Sequence, residues 1–264
     1  MCRLILYISQ KPKNLYDVLI SSKNSLWEQS INPKRKLMSK RDHLINIDGF
    51  GVGFLKDEFV VYKNPIPPYH DKNFIEISKY LKSNLILGHI RAVKCPRRNL
   101  VSYENCHPFK EEGFLMMHNG LIKDFMSKKH EIFKLIKDKY ISKIKGHTDS
   151  EIIFYLFLSF LKSYQPKDII KSFYQTINTL IKIYQSISAN IVISNKNYSL
   201  VSRYINTQEE PPSLYYQNNE EEIKIASEPL DETEWKLLGK NKFLFINHQN
   251  LKISENDYYT CFKT

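Results

Sequence analysis

Long apolar runs are missing from this chain of 264 residues. The longest, Ile152 to Leu158 continued by Phe160 and Leu161, falls short of the roughly 18 to 20 residues that a membrane-spanning helix needs. At the N-terminus the apolar stretch Leu4 to Ile8 is too brief for the core of a signal peptide, and no small-residue cleavage site follows it. An intracellular, cytoplasmic protein is expected. Cysteine is scarce: Cys2, Cys95, Cys106 and Cys261 are the only four, and their spacing fits neither a disulfide framework nor a CxxC metal site. Reduced thiols follow as the default. The eight histidines show no ligand spacing such as HExxH, so nothing calls for a metal or an organic cofactor. Also absent are internal repeats, low-complexity tails and interdomain linkers, which leaves a single domain over residues 1–264 as the expectation.

What is present is ample material for a core, with 42% hydrophobic and 13% aromatic residues. The net charge of +11 raises nucleic acid as a partner. Most of that charge is lysine spread along the whole chain, and Lys34-Arg35-Lys36, Lys40-Arg41 and Arg97-Arg98 are short and lie in no nucleic-acid motif. A solvated basic surface is the favoured reading, with neither nucleic acid nor membrane as partner.

In chain order, residues 3 to 8 read as a buried strand bounded by a turn at Lys11-Pro12, and Leu15 to Ser22 as a short helix. Ser30 to Asp42 reads as a surface loop. Residues 48–55 and 59–62 form a hairpin pattern whose Gly49, Gly51 and Gly53 do not make GxGxxG; close backbone approach within a sheet accounts for them better. A helix is expected over Phe74 to Leu81 and a strand over Leu85 to Val93, where alternation puts Leu85, Leu87, His89 and Arg91 on one face. An arginine at the end of a core strand is either paired with a carboxylate or waits for an anionic ligand.

The apolar run Phe114 to Met117 ends in His118-Asn119-Gly120, and helical spacing follows from Leu121 to Tyr140. Asn119-Gly120 is therefore expected at a strand-to-helix junction, presenting a side-chain amide and a backbone N–H. Thr148 with Glu151 three residues on is a capping box, and Asp149 falls in the first turn of an apolar helix, where the helix dipole alone would favour it. A second helix should span roughly Lys167 to Ile187. Strands follow over Ala189 to Ser194 and Tyr198 to Tyr204 around an Asn195-Lys196-Asn197 turn, then near residues 213–216, 223–226, 243–247 and 251–253. The order of strands, helices and strands suits one α+β domain.

Cys2 has a plain reading as a small buried hydrophobe at a strand start. It has a second one if Met1 is removed, because a thiol and a free α-amine then share one residue. Taken together, Cys2, Gly88-His89-Ile90-Arg91-Ala92, Asn105-Cys106-His107-Pro108-Phe109 with His118-Asn119-Gly120, and Thr148-Asp149-Ser150-Glu151 resemble the class II glutamine amidotransferases, a family of N-terminal nucleophile hydrolases. Within that family Asp48-Gly49-Phe50-Gly51, Ser202-Arg203-Tyr204 with Pro212-Ser213-Leu214, and Ala226-Ser227-Glu228-Pro229-Leu230 resemble most the amidotransferase-like subunits of yeast-type glutathione-degrading complexes. The last stretch is also similar to the bacterial γ-glutamyl hydrolases of ergothioneine synthesis. The likeness runs from Cys2 to about Leu230, leaving no room for a synthase domain.

The resemblance implies a four-layer αββα fold, two stacked, mainly antiparallel sheets between helical layers. It implies a γ-glutamyl amide hydrolase in which Cys2 attacks the γ-carbonyl and its own α-amine is the base. An α-amine, with a reference pKa about 2.4 units below that of lysine, costs roughly 3 kcal/mol less to deprotonate near neutrality. Asn119 and Gly120 would form the oxyanion hole, Arg91 would clamp the substrate's α-carboxylate and Asp149 would bind its α-ammonium. The substrate would be glutathione or another γ-glutamyl compound, and a metallopeptidase-like subunit a partner. One departure points away from free glutamine: Ala92-Val93-Lys94-Cys95-Pro96-Arg97-Arg98 replaces the aromatic-Ser/Ala-Thr that follows this arginine in synthase-linked relatives. Lys94, Arg97 or Arg98 would attract a second carboxylate, or are solvated loop charges. The alternatives are a glutaminase subunit that hands ammonia to a separate synthase, and a catalytically silent scaffold of the same fold.

Overall fold

The structure, a computed structural model, describes residues 1–34, 46–93 and 101–258. Strand β1 (Arg3–Asn14) opens the chain and runs on past Pro12, where the sequence suggested a stop. A register shift between Ile8 and Lys13 interrupts its ladder with the neighbouring strand, so Pro12, which has no N–H to give, falls in the gap. Helices α1 (Leu15–Leu19) and α2 (Leu26–Ile31), strands β2 (Phe50–Leu55) and β3 (Phe59–Asn64), helix α3 (Lys72–Ser78) and strand β4 (Lys82–Ile90) follow. The middle of the chain forms β5 (Phe109–Glu111), β6 (Phe114–Ile122) and helices α4 (Phe125–Phe133), α5 (Asp138–Ile141), α6 (Asp149–Leu161) and α7 (Ile169–Ile183). Strands β7 (Ile187–Ser194), β8 (Tyr198–Ile205), β9 (Tyr215–Asn218), β10 (Glu222–Ala226), β11 (Lys236–Leu237), β12 (Lys242–Asn247) and β13 (Lys252–Asp257) complete it.

The strands form two sheets with the orders β11-β9-β10-β1-β4-β2-β3 and β13-β12-β8-β7-β6-β5. All the pairings described are antiparallel. Alternation along each strand sorts side chains into three cores. Between the sheets, Leu4, Leu6, Leu85 and Leu87 meet Leu115, Met117, Val192, Val201 and Leu244. On the outer face of the first sheet, Ile5, Tyr7, Phe50 and Ile86 pack against Leu15, Leu19, Leu26 and Trp27 of α1 and α2. Outside the second sheet, Met116, Ile191 and Ile193 lie under Phe154 and Phe157 of α6 and Phe173 and Ile177 of α7. The result is the α+β, four-layer αββα arrangement. Helix α6 is buried at every position from Ser150 to Leu161 except Phe160, as befits a helix apolar nearly all round.

The glycines of β2 allow close approach and not phosphate binding. A Cβ at Gly51 would overlap the His107 carbonyl oxygen, and one at Gly53 would sit 2.5 Å from the Leu115 side chain.

Candidate active site

The first half of the site is built by the end of the β1–β4 ladder. Its last pair is Arg3 with Ile90, so the next pair outward is Cys2 with Arg91. Cys2 shares its face with Leu4 and Leu6 and therefore looks into the space between the sheets. Its Sγ accepts a hydrogen bond from the Ala92 N–H at 3.4 Å. Arg91 is buried, and its backbone is gripped on both sides: its N–H donates to the Gly49 carbonyl at 2.8 Å, and its carbonyl accepts from Asp48 N–H at 3.1 Å. Asp48 also takes the Val93 N–H on its carboxylate at 2.7 Å. Gly49 adopts φ +108°, a conformation that a side chain would strain, and a Cβ there would lie 2.6 Å from Cys106 Sγ. Cys106 is fully buried, and burial pushes its thiol up to about 11, so it offers no competing thiolate.

The second half comes from β6 and α6. Asn119 and Gly120 lie inside β6 and not at a strand-to-helix junction as the sequence suggested. The strand continues to Ile122 because Leu121 and Ile122 still pair with Ser188 and Ile187 of β7, and helix α4 starts only at Phe125. Alternation turns Asn119 towards the inter-sheet space, with Leu115 and Met117, and His118 and Gly120 towards the helices. The buried Asn119 amide makes no hydrogen bond among the described residues, so its donors remain available. Gly120 is glycine for a steric reason: a Cβ would overlap the Ser188 carbonyl oxygen and lie 2.5 Å from His118 Nε2.

Asp149 opens α6, and its carboxylate is aimed by backbone donors. Oδ2 accepts from Ile122 N–H at 2.9 Å and Oδ1 from Ser150 N–H at 2.8 Å. Ser150 Oγ lies 2.9 Å from His118 Nδ1, while His118 Nε2 lies 3.1 Å from the Ser188 carbonyl. Asp149 is thereby tied to the strand that carries Asn119. Only half of the expected capping box forms. Thr148 Oγ1 accepts from Glu151 N–H at 3.2 Å, but the Glu151 carboxylate turns back to the N–H groups of Lys145 (3.1 Å) and Gly146 (2.7 Å).

The two halves are joined by His89, whose Nε2 lies 3.1 Å from the His118 carbonyl oxygen across the sheets. His89 stands two residues before Arg91 and His118 one before Asn119. Lys94, Arg97 and Arg98 lie outside the described residues, as do Cys95, Cys261, Arg35-Lys36 and Lys40-Arg41. Sequence reasoning missed the supporting residues Asp48, Asn105, His118 and Ser150. They stood inside the quoted stretches, but no periodicity marks a residue that acts through a neighbour's backbone. Asn105, for example, accepts the His147 N–H at 2.9 Å and so holds the loop before α6.

The sequence model of the family described as glutamine amidotransferases class-II matches residues 34–208. The chain belongs to the class II glutamine amidotransferases, enzymes of the N-terminal nucleophile hydrolase type. It is similar to the probable glutamine amidotransferase DUG3 of Saccharomyces cerevisiae, at 27% identity over 98% of this chain and 86% of that protein. It also resembles the gamma-glutamyl-hercynylcysteine sulfoxide hydrolase of Mycolicibacterium smegmatis, at 28% identity over 46% of this chain and 52% of that one. Among solved structures, the glutamine aminotransferase class-II domain protein of Silicibacter pomeroyi superposes with a TM-score of 0.68 at 23% identity, covering 97% of this chain and 99% of that one. The glutamine phosphoribosylpyrophosphate amidotransferase of Bacillus subtilis gives 0.66 at 13% identity, over 98% of this chain and 50% of that one. No helix among the described residues is long and apolar enough to cross a membrane.

The histidines of the fold carry a pH dependence. Burial lowers His89 to about 3 from the ordinary 6.5 and holds His107, whose tilted ring lies 4.1 Å from it, well below that range. His248, 2.8 Å from Ser199 Oγ and 3.1 Å from the Lys196 carbonyl, is lowered by burial to about 4. Each stays neutral in the fold and binds a proton on unfolding below pH 6.5. Stability is therefore full above that value and lost as pH falls towards the folded values, by up to about 1.4 kcal/mol per pH unit for each histidine. Ordinary carboxylates titrate only below about 4.5. The free energy of urea unfolding is expected to fall between about pH 6.5 and 5, and His248→Gln to remove about one third of the slope. A flat profile in that window would contradict the buried neutral assignment.

Proposed function

We propose that the protein is a γ-glutamyl amide hydrolase that cleaves the γ-glutamyl bond of glutathione, or of a related compound, through a thioester on Cys2. The observation that supports this reading is the place of Cys2, one residue before the Arg3–Ile90 pair that ends the β1–β4 ladder and hence opposite Arg91, on the inter-sheet side to which alternation also turns Asn119. Met1 is 44% exposed, within reach of removal, and its loss frees the Cys2 α-amine.

The α-amine takes the thiol proton as Sγ attacks the γ-carbonyl carbon. The Asn119 amide and the Gly120 N–H receive the oxyanion as it forms. Arg91 holds the α-carboxylate, and Asp149 the α-ammonium with lone pairs left over from its backbone contacts. Collapse of the tetrahedral species breaks the C–N bond, and the amine returns the proton to the leaving nitrogen. For glutathione the leaving group is cysteinylglycine. Water, deprotonated by the same amine, then attacks the thioester and releases glutamate with the regenerated thiol. Residues 1–264 would act as a single amidotransferase-type domain, in the cytoplasm, beside a metallopeptidase-like partner that takes the released dipeptide. The likeness to the yeast amidotransferase and the mycobacterial γ-glutamyl hydrolase supports this chemistry. The yeast relative and the family also favour a second reading, a glutaminase subunit that passes ammonia to a separate synthase.

Glutamate release from glutathione is expected to exceed that from glutamine, with or without the partner, and to vanish in Cys2→Ala. Activity surviving in Cys2→Ala would remove the nucleophile, and preference for glutamine would select the second reading. Asn119→Ala is expected to lower kcat by about 10² to 10³-fold. Its melting temperature should stay near the parent's, because the amide makes no hydrogen bond among the described residues. An unchanged kcat would take Asn119 out of the oxyanion hole.

A further inference from the structure

Behind Cys2, on the outer face of the first sheet, lies an ion pair that the chemistry above leaves unused. Arg3 and Glu228 are only 7% and 1% exposed. Arg3 Nε donates to Glu228 Oε1 at 3.1 Å, and its Nη2 approaches the same oxygen at 3.0 Å. The remaining arm, Nη1, donates to the Cys2 carbonyl oxygen at 3.2 Å and to that of Met1 at 3.2 Å. The other carboxylate oxygen of Glu228 accepts the Lys34 N–H at 3.0 Å.

A buried pair of this kind is a poor device for stability, since apolar residues of equal volume commonly do as well or better. Its position suggests another use. The β1–β4 ladder ends at Arg3, so the Cys2 carbonyl lies beyond the last ladder pair, and the guanidinium reaches it. The thiol and the α-amine hang from the same Cα, so fixing that carbonyl fixes the direction of both. We propose that Arg3 and Glu228 are positioning residues for the nucleophile, holding the Cys2 main chain and setting the charge around its α-amine once Met1 is gone. This rests on the reading of Cys2 given above.

The rest of the surroundings fits a built cradle. Ser227, next to Glu228, accepts the Leu4 N–H on Oγ at 3.0 Å and donates its own N–H to the Leu4 carbonyl at 3.0 Å. Ser213 Oγ donates to the Ser227 carbonyl at 2.8 Å. The preceding strap is held by Arg203, which donates to the carbonyls of Pro211 (3.1 Å) and Pro212 (3.0 Å), and by Asn190, which donates to Pro212 at 2.7 Å. The stretches around Arg203, Ser213 and Ser227-Glu228 thus form one hydrogen-bonded path to the start of β1.

The charged groups that contacts place around Cys2 are Arg3, on its carbonyl, Glu228 from beyond β10, on Arg3, and Asp48 from before β2, whose carboxylate takes the Val93 N–H next to the Ala92 that donates to Cys2 Sγ; Arg91 precedes Ala92, and Asp149 belongs to the other half of the site. Cys106 adds a neutral thiol from the 101–108 segment. A cation nearby favours the neutral amine and a carboxylate the charged one. Glu228→Gln should then move the acidic limb of kcat/KM to lower pH, and Arg3→Gln should move it to higher pH.

The test uses the full chain beginning at Cys2, with kcat, KM and the pH dependence of labelling by a glutamine-mimicking electrophile. Opposite shifts of the limb in the two variants, with kcat reduced about 10²-fold and KM little changed in Arg3→Gln, are expected. Arg3→Lys, which keeps the charge but not the fork, should leave the limb in place and still lose kcat. It carries the test if either glutamine variant does not fold. Folded glutamine variants whose limbs do not move, or an Arg3→Lys variant that keeps its kcat or raises KM at constant kcat, would overturn the proposal. Should Cys2→Ala remain active, it is the reading of the nucleophile that has failed.

Discussion

The site depends on the register of one antiparallel ladder. Because Arg3 pairs with Ile90, the residue before the first strand, Cys2, lies opposite the residue after the fourth, Arg91, and Cys2 Sγ takes the N–H of the next residue, Ala92. A slip by one residue would turn every side chain of β1 to the other face, exchanging Leu4, Leu6 and Ile8 for Arg3, Ile5 and Tyr7 in the inter-sheet core. Arg3 would then enter an apolar layer. The packing of the two sheets and the placement of the thiol are consequently enforced by the same contacts.

The second constraint is the joint between the sheets. His89 and His118, with Ser150 and Asp149 behind them, connect the strand carrying the arginine to the strand carrying Asn119 and to the first turn of α6. Burial keeps His89 neutral, as a joint inside a low-dielectric core requires. Gly120 belongs to this joint as well, because the His118 ring and the Ser188 carbonyl occupy the space that a side chain would need.

Much of this was legible in the sequence where a single periodicity decides the outcome. Alternation along β4 put His89 with Leu85 and Leu87 on the inter-sheet face, and the cap at Thr148 located α6 to the residue. The glycines of β2 were rightly assigned to close approach. Asn119-Gly120 was misplaced because an Asn-Gly pair before helical spacing resembles a junction, whereas pairing with β7 extends the strand two residues further. Pro12 ended β1 too early, since the register shift that tolerates it depends on β4. The short strands β5 and β11, of three and two residues, carry too few side chains to show any period. The Arg3–Glu228 pair joins residues 225 positions apart, beyond the reach of any local pattern.

The central claim is that the chain works from a free N-terminal cysteine. Intact-mass and peptide mass spectrometry of the protein as it exists in cells, before and after a glutamine-mimicking electrophile, tests it most directly. The account predicts a chain lacking Met1 that gains one adduct, mapped to Cys2 with its α-amine free. An active chain that retains Met1, or an adduct on Cys106 in place of Cys2, would contradict it.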